Sequence, residues 1–146
     1  FKGKKIAILD DKSTYGAGLA NETKKALNAA GVTEAMRESY TQGDKDFTAL
    51  VSRMKAADID VVFIGGYHTE SGLILRQMRD QGMKTVLMAG DALADKQFAA
   101  ITGQHAQGVL MTFGSDPRNR PAAAEIVKKF KAKGIDPEGY TLYTYA

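Results

Sequence analysis

The stretch that most restricts the fold is "DVVFIGG", residues 60–66, an unbroken apolar and β-branched run between an aspartate and two glycines. A strand exposed on one face alternates apolar with polar residues. A strand without alternation is covered on both faces, the habit of a parallel sheet with helices above and below. The flanking segments fit that setting. "KKIAIL" (4–9), "EAMRESY" (34–40), "KTVLMAG" (84–90) and "QGVLMTF" (107–113) read as four further strands. Between them lie helical patterns at about 16–30, 47–54, 70–81 and 94–101, the second with Phe47, Leu50, Val51 and Met54 at i, i+3, i+4, i+7 behind a capping Asp46. Strand–helix alternation with short connections predicts an α/β three-layer sandwich around a largely parallel five-stranded sheet.

The sandwich is expected to occupy 1–112. The turn formers and two prolines of "GSDPRNRP" (114–121) break the pattern, and a lysine-bearing helix at about 121–133 follows. Residues 113–146 therefore read as a piece of something larger, whose Ile126, Val127 and Phe130 need cover from elsewhere. By itself the part from 118 to 146 is expected to pack against another copy of the chain, or to be poorly ordered where it does not.

Composition narrows the classes. An apolar fraction of 44% and a charged fraction of 25% are those of an ordinary globular protein. No apolar run approaches the ~20 residues that cross a bilayer. The opening "FKGKK" enters a strand at once, without the basic and apolar regions of a signal peptide; a mature protein with its leader removed reads the same way. The net charge of +3 comes from scattered lysines rather than a basic stripe, which argues against nucleic acid as a partner. With no cysteine, disulfides and thiolate metal sites are excluded.

In a parallel sheet, ligands collect at the loops after the carboxyl ends of the strands. That rule gathers residues 10–15, 41–45, 67–70 and 90–93, and with them Tyr15, Tyr67, His68 and Asp91. A carboxylate among tyrosine rings suits an ammonium group, which pairs with the charge and is attracted to the ring faces. Other chemistries fit less well. "GAGLAN" lacks the third glycine of a dinucleotide loop and comes too late after its strand; Gly16 and Gly18 are better read as letting the helix start lie close to the sheet. Asp10 and Asp11 resemble the acidic pair of a phospho-acceptor domain, but Gly65, Gly66 and Tyr67 stand where the acceptor aspartate would be. No G-x-S-x-G is present, and His68 and His105 have no second ligand at helical spacing, so neither hydrolase nor metal site is expected.

Three blocks, "KIAILDDKSTYGAGLA", "YTQGDKDFTALVSRMKAADIDVVFIGGYHTESGLILRQMRDQG" and "GVLMTFGSDP", resemble the leucine/isoleucine/valine-binding proteins of bacterial ABC importers, the type I periplasmic binding proteins. The resemblance implies a periplasmic, non-enzymatic protein without cofactor, whose two lobes close on an amino acid delivered to a membrane permease. The chain would supply most of the second lobe, with a hinge crossover near 112–117 and a partial return to the missing first lobe. The ligand-binding positions carried over are Tyr15, Tyr67, Asp91 and Tyr140. Some members have glutamate where this chain has Asp91, one methylene longer. A sensory or regulatory domain of the same fold, holding an amide, urea or amino acid, and a nucleotide-using α/β enzyme are the alternatives.

Overall fold

The computed structural model describes residues 1–137 and Leu142. It divides into two units, Phe1–Thr112 and Phe113–Ala146. The first carries a five-stranded sheet in the order β2-β1-β3-β4-β5, with every neighbouring pair parallel. Its elements run β1 (Ile6–Asp10), α1 (Thr14–Ala29), β2 (Met36–Ser39), α2 (Thr48–Ala56), β3 (Val61–Gly65), α3 (His68–Asp80), β4 (Val86–Ala89), α4 (Lys96–Thr102) and β5 (Leu110–Met111).

The unbroken apolar strands now divide by parity. Ile6, Ile8, Val61 and Phe63 face one side and pack with Ala20, Leu19 and Leu27 of α1. Ala7, Leu9, Val62 and Ile64 face the other and form the larger core with Leu50, Val51 and Met54 of α2, Ile74, Leu75 and Met78 of α3, and Phe98 of α4. Both faces of β1 and β3 are thus removed from water, as their sequence requires.

The α1 side is less well covered towards β5. Val86 and Met88 are only partly buried there, and Leu110 is 42% exposed. The fifth strand is also shorter than its apolar run implied, two residues rather than 107–113. Among the described residues its outer edge has no neighbour in the sheet order.

α1 starts at Ser13, whose hydroxyl accepts from the Gly16 amide at 2.8 Å. Gly16 and Gly18 part company here. A Cβ on Gly16 would stand 2.1 Å from Asp11 Oδ1 and 2.5 Å from the Gly65 carbonyl, whereas one on Gly18 would meet nothing within 4 Å. Only Gly16 permits the close approach; the reading of Gly18 is corrected, because its place on the helix faces open space. At α2 the expected cap is displaced: the N-cap position is Phe47, without a side-chain cap, and Asp46 one residue earlier accepts from the Thr48 amide at 2.9 Å in a turn that leads into the helix.

In the second unit, Asp116 accepts from the Arg118 amide at 2.9 Å and pairs with its guanidinium. The helix α5 (Ala124–Ala132) has no fully buried residue. Ile126, Phe130 and Ala132 line a depression of about 550 Å³ together with Lys129 and Lys133. Tyr140 lies outside the described residues.

The end of β1 carries a buried charge with a measurable consequence. Asp10 is 2% exposed; it accepts from the Lys12 amide at 2.9 Å and the Ser39 hydroxyl at 2.9 Å, and the Arg37 guanidinium contacts it. Burial alone would raise its pKa, but the amide, Arg37 and Ser39 outweigh burial and hold it below 3.8. A carboxylate with a depressed folded-state pKa adds stability above its unfolded value and loses it as pH falls through the folded one. Asp10→Asn should therefore lower the melting temperature at neutral pH, with the gap to the parent closing below about pH 4. Thermal melts across that range check this; a gap independent of pH refutes it.

Candidate functional site

Tyr15, Tyr67 and Asp91 come from three different connections and meet at the carboxyl edge of the sheet. The first sits in the opening turn of α1, placed by the Ser13 cap. Tyr67 is the residue preceding α3, in extended conformation after β3, and is 41% exposed. Asp91 begins the short turn 91–93 that follows β4. The two tyrosine rings lie 5.3 Å apart between centroids, tilted by 38°, a spacing at which aromatic rings attract.

The Tyr15 hydroxyl donates to Asp91 Oδ1 at 2.9 Å across 76 positions of sequence. Gly90 makes that reach possible: a Cβ there would stand 2.8 Å from the Tyr15 hydroxyl and 2.8 Å from Leu19. Burial, then the hydrogen bond and charge of Asp91, push the Tyr15 hydroxyl up to about 12. It therefore stays a neutral donor, and Asp91 is its acceptor. The other oxygen, Oδ2, has no donor among the described residues. The arrangement presents a carboxylate with one oxygen fixed and one available, beside two aromatic rings. It can hold a cation-bearing small molecule.

The remaining edge residues are engaged with one another. His68 Nε2 lies 3.3 Å from Gln97 Oε1, and its Nδ1 is 3.9 Å from Asp95, joining the starts of α3 and α4. Lys12 donates to the Thr41 hydroxyl at 3.1 Å. No group of three or more His, Asp or Glu side chains among the described residues could hold a metal ion. A depression of about 320 Å³ lies at the opposite, amino-terminal edge of the sheet, among Lys55, Asp58, Asp60, Lys84 and Thr85. It is remote from the three convergent residues, and the rule for strand ends favours their edge over it.

The residues that hold the edge together were not anticipated. Asp11 is 2% exposed. Its Oδ1 accepts from the Ser13 amide at 3.0 Å and the Ser13 hydroxyl at 2.6 Å, and its Oδ2 accepts from Gln42 Nε2 at 2.9 Å. Glu70, also buried, accepts from the Gly43 amide at 2.9 Å. The spacing of Asp11, Ser13 and Gly16 is a legible turn-and-cap signal; the Gln42 and Gly43 links span distant sequence and carry no such mark.

Comparison with known proteins adds the family. A sequence profile described as "Periplasmic binding protein" matches residues 1–146. The Leu/Ile/Val-binding protein homolog 1 of Brucella suis is 51% identical over 146 residues, covering 100% of this chain and 39% of its own length. An amino acid binding protein of Pseudomonas aeruginosa is 48% identical over 147 residues, again with 39% of its length covered. Among solved structures, a leucine binding protein from Thermotoga maritima superimposes with a TM-score of 0.84 at 28% identity, over 95% of this chain and 41% of that one. The chain thus spans about two-fifths of the length of the relatives it matches. A profile that runs from Phe1 to Ala146, over a parallel sandwich with its convergent residues at the carboxyl edge, shows that the chain belongs to the periplasmic binding protein family.

Proposed function

We propose that the full-length protein is the periplasmic solute-binding component of an ABC amino-acid importer, and that it binds a branched-chain or similar hydrophobic amino acid. One observation carries the assignment to an amino acid. Asp91 has one carboxylate oxygen tied to Tyr15 and the other without a donor among the described residues, beside the Tyr15–Tyr67 ring pair. That is a receptor for an α-ammonium group, and it lies on an open edge rather than in an enclosed cavity. An opposing lobe would complete it and exclude water. The match to only 39% of the relatives' length leaves room for such a lobe. The thinly covered strip at Val86, Met88 and Leu110 also leaves apolar surface for further chain to cover. Residues 1–112 then form most of one lobe, and 113–146 a crossover and part of the other. The partner that accepts the amino acid is a membrane permease.

Titration calorimetry on the full-length protein tests the reading. L-leucine, L-isoleucine and L-valine should bind, and 4-methylpentanoate, which keeps leucine's side chain and carboxylate but lacks the ammonium, should not. Equal binding of 4-methylpentanoate would refute the role of Asp91; binding of nucleotides in place of amino acids would refute the function.

A further inference from the structure

The loops bearing Tyr15 and Tyr67 are fastened by one buried carboxylate, Asp11. Asp11 Oδ1 takes both the amide and the hydroxyl of Ser13, at 3.0 and 2.6 Å, which fixes the turn into α1 two residues before Tyr15. The same Ser13 hydroxyl accepts from the Gly16 amide, so the cap that sets the first turn of α1 is oriented by Asp11. The Asp11 amide donates to the Gly65 carbonyl at 3.1 Å, two residues before Tyr67. Asp11 Oδ2 receives Gln42 from the β2–α2 loop, whose Gly43 amide is held in turn by Glu70 in the first turn of α3. Asp11 therefore joins three connections through its own backbone and side chain.

We propose that Asp11 is a positioning residue for the ligand edge, presetting the Tyr15–Tyr67 pair and the reach of Tyr15 to Asp91. The proposal rests on the amino-acid-binding function argued above. A ring pair held in place before the ligand arrives needs no ordering on binding, and affinity rises by the cost avoided. The carboxylate suits this work because it only accepts. Ser13 and Gln42 supply three donors to its two oxygens; an asparagine turns an N–H towards Gln42, which must then flip its own amide to accept, and the charge-assisted bond is lost.

The test uses the full-length protein, with L-leucine titrated by calorimetry and folding followed by thermal melts. Asp11→Asn should weaken leucine binding about fivefold or more, although Asp11 is outside the proposed ligand-binding set. The double variant Asp11→Asn/Gln42→Glu restores a donor-to-carboxylate pair in reverse and should recover affinity to within about twofold of the parent. Recovery of affinity is a readout that a purely structural role does not move. If Asp11→Asn lowers the melting temperature but binds leucine like the parent, or if the double variant fails to recover, the proposal is overturned. Should Asp11→Asn not fold, Gln42→Met, in an exposed loop, removes the Oδ2 partner alone. Binding weakened about threefold then supports the proposal, and unchanged affinity overturns it. Failure of the parent itself to bind leucine would refute the function instead, so the two readings fail separately.

Discussion

Replacing Gly65 with alanine is expected to destabilise the protein by about 3 kcal/mol or more, the upper end of what overpacking costs. Gly65 closes β3 in the middle of the sheet, paired with Asp10. A Cβ there would stand 2.1 Å from the Gly16 carbonyl oxygen and 3.1 Å from the Ala20 amide nitrogen. Both obstacles are backbone atoms of α1, so no rotamer change relieves them. The helix must move away from the sheet, taking Ala20 out of the core it forms with Ile8 and Phe63. Its first turn carries Tyr15, so the shift should also loosen the contact with Asp91. The control is Gly18→Ala, on the same helix but facing open space. It should stabilise by about 0.5–1 kcal/mol, because alanine orders in a helix at lower entropic cost. Urea denaturation of the two variants decides the matter; a Gly65→Ala protein as stable as the parent would show that the approach of α1 to β3 is loose.

Gly16 and Gly18 mark how much of the packing is legible in the sequence. That a glycine near the start of α1 serves a close approach is readable from "YGAGLA" after an apolar strand. Which one does so is a matter of helix phase, and two residues rotate the position from the sheet to the solvent. The sheet itself was legible because "DVVFIGG" excludes a half-exposed strand and the intervening helices force parallel crossovers. The extent of β5 was not, since "QGVLMTF" is apolar whether or not a neighbour exists to pair with it. The convergence of Tyr15, Tyr67 and Asp91 on one edge followed from the rule for strand ends, applied to three separate loops. The hydrogen bond from Tyr15 to Asp91 did not follow, because it depends on Gly90 leaving room for the hydroxyl. In the sequence Asp11 reads as a member of the 10–15 loop and as half of a phospho-acceptor's acidic pair, neither of which marks it as the residue that ties the loops together. Its partners at Ser13 are local, but Gln42 comes from another loop, 31 positions away.

Asp91→Asn in the full-length protein should weaken binding of a branched-chain amino acid by at least about thirtyfold. The structure makes this substitution a clean removal of charge. An asparagine keeps a carbonyl oxygen for the Tyr15 hydroxyl, so the 2.9 Å bond and the ring arrangement can persist while the negative charge is lost. On the proposed two-lobed reading, an ammonium enclosed without its counter-charge is left desolvated and unpaired, which costs about 2–5 kcal/mol. Folding should be little affected, since Asp91 is only partly buried at the edge of the sheet and belongs to no core cluster. Tyr15→Phe separates the two contributions. It frees Oδ1 but leaves the charge, so its loss should be smaller, about the 0.5–1.5 kcal/mol of one neutral hydrogen bond or somewhat more with a charged acceptor. Asp91→Glu adds a methylene and pushes the carboxylate forward past the reach that Gly90 allows Tyr15; binding should survive, with a changed order of preference among leucine, isoleucine and valine. Calorimetry on the three variants ranks them. If Asp91→Asn binds within about threefold of the parent, the ammonium is held elsewhere and the free oxygen of Asp91 is not its receptor.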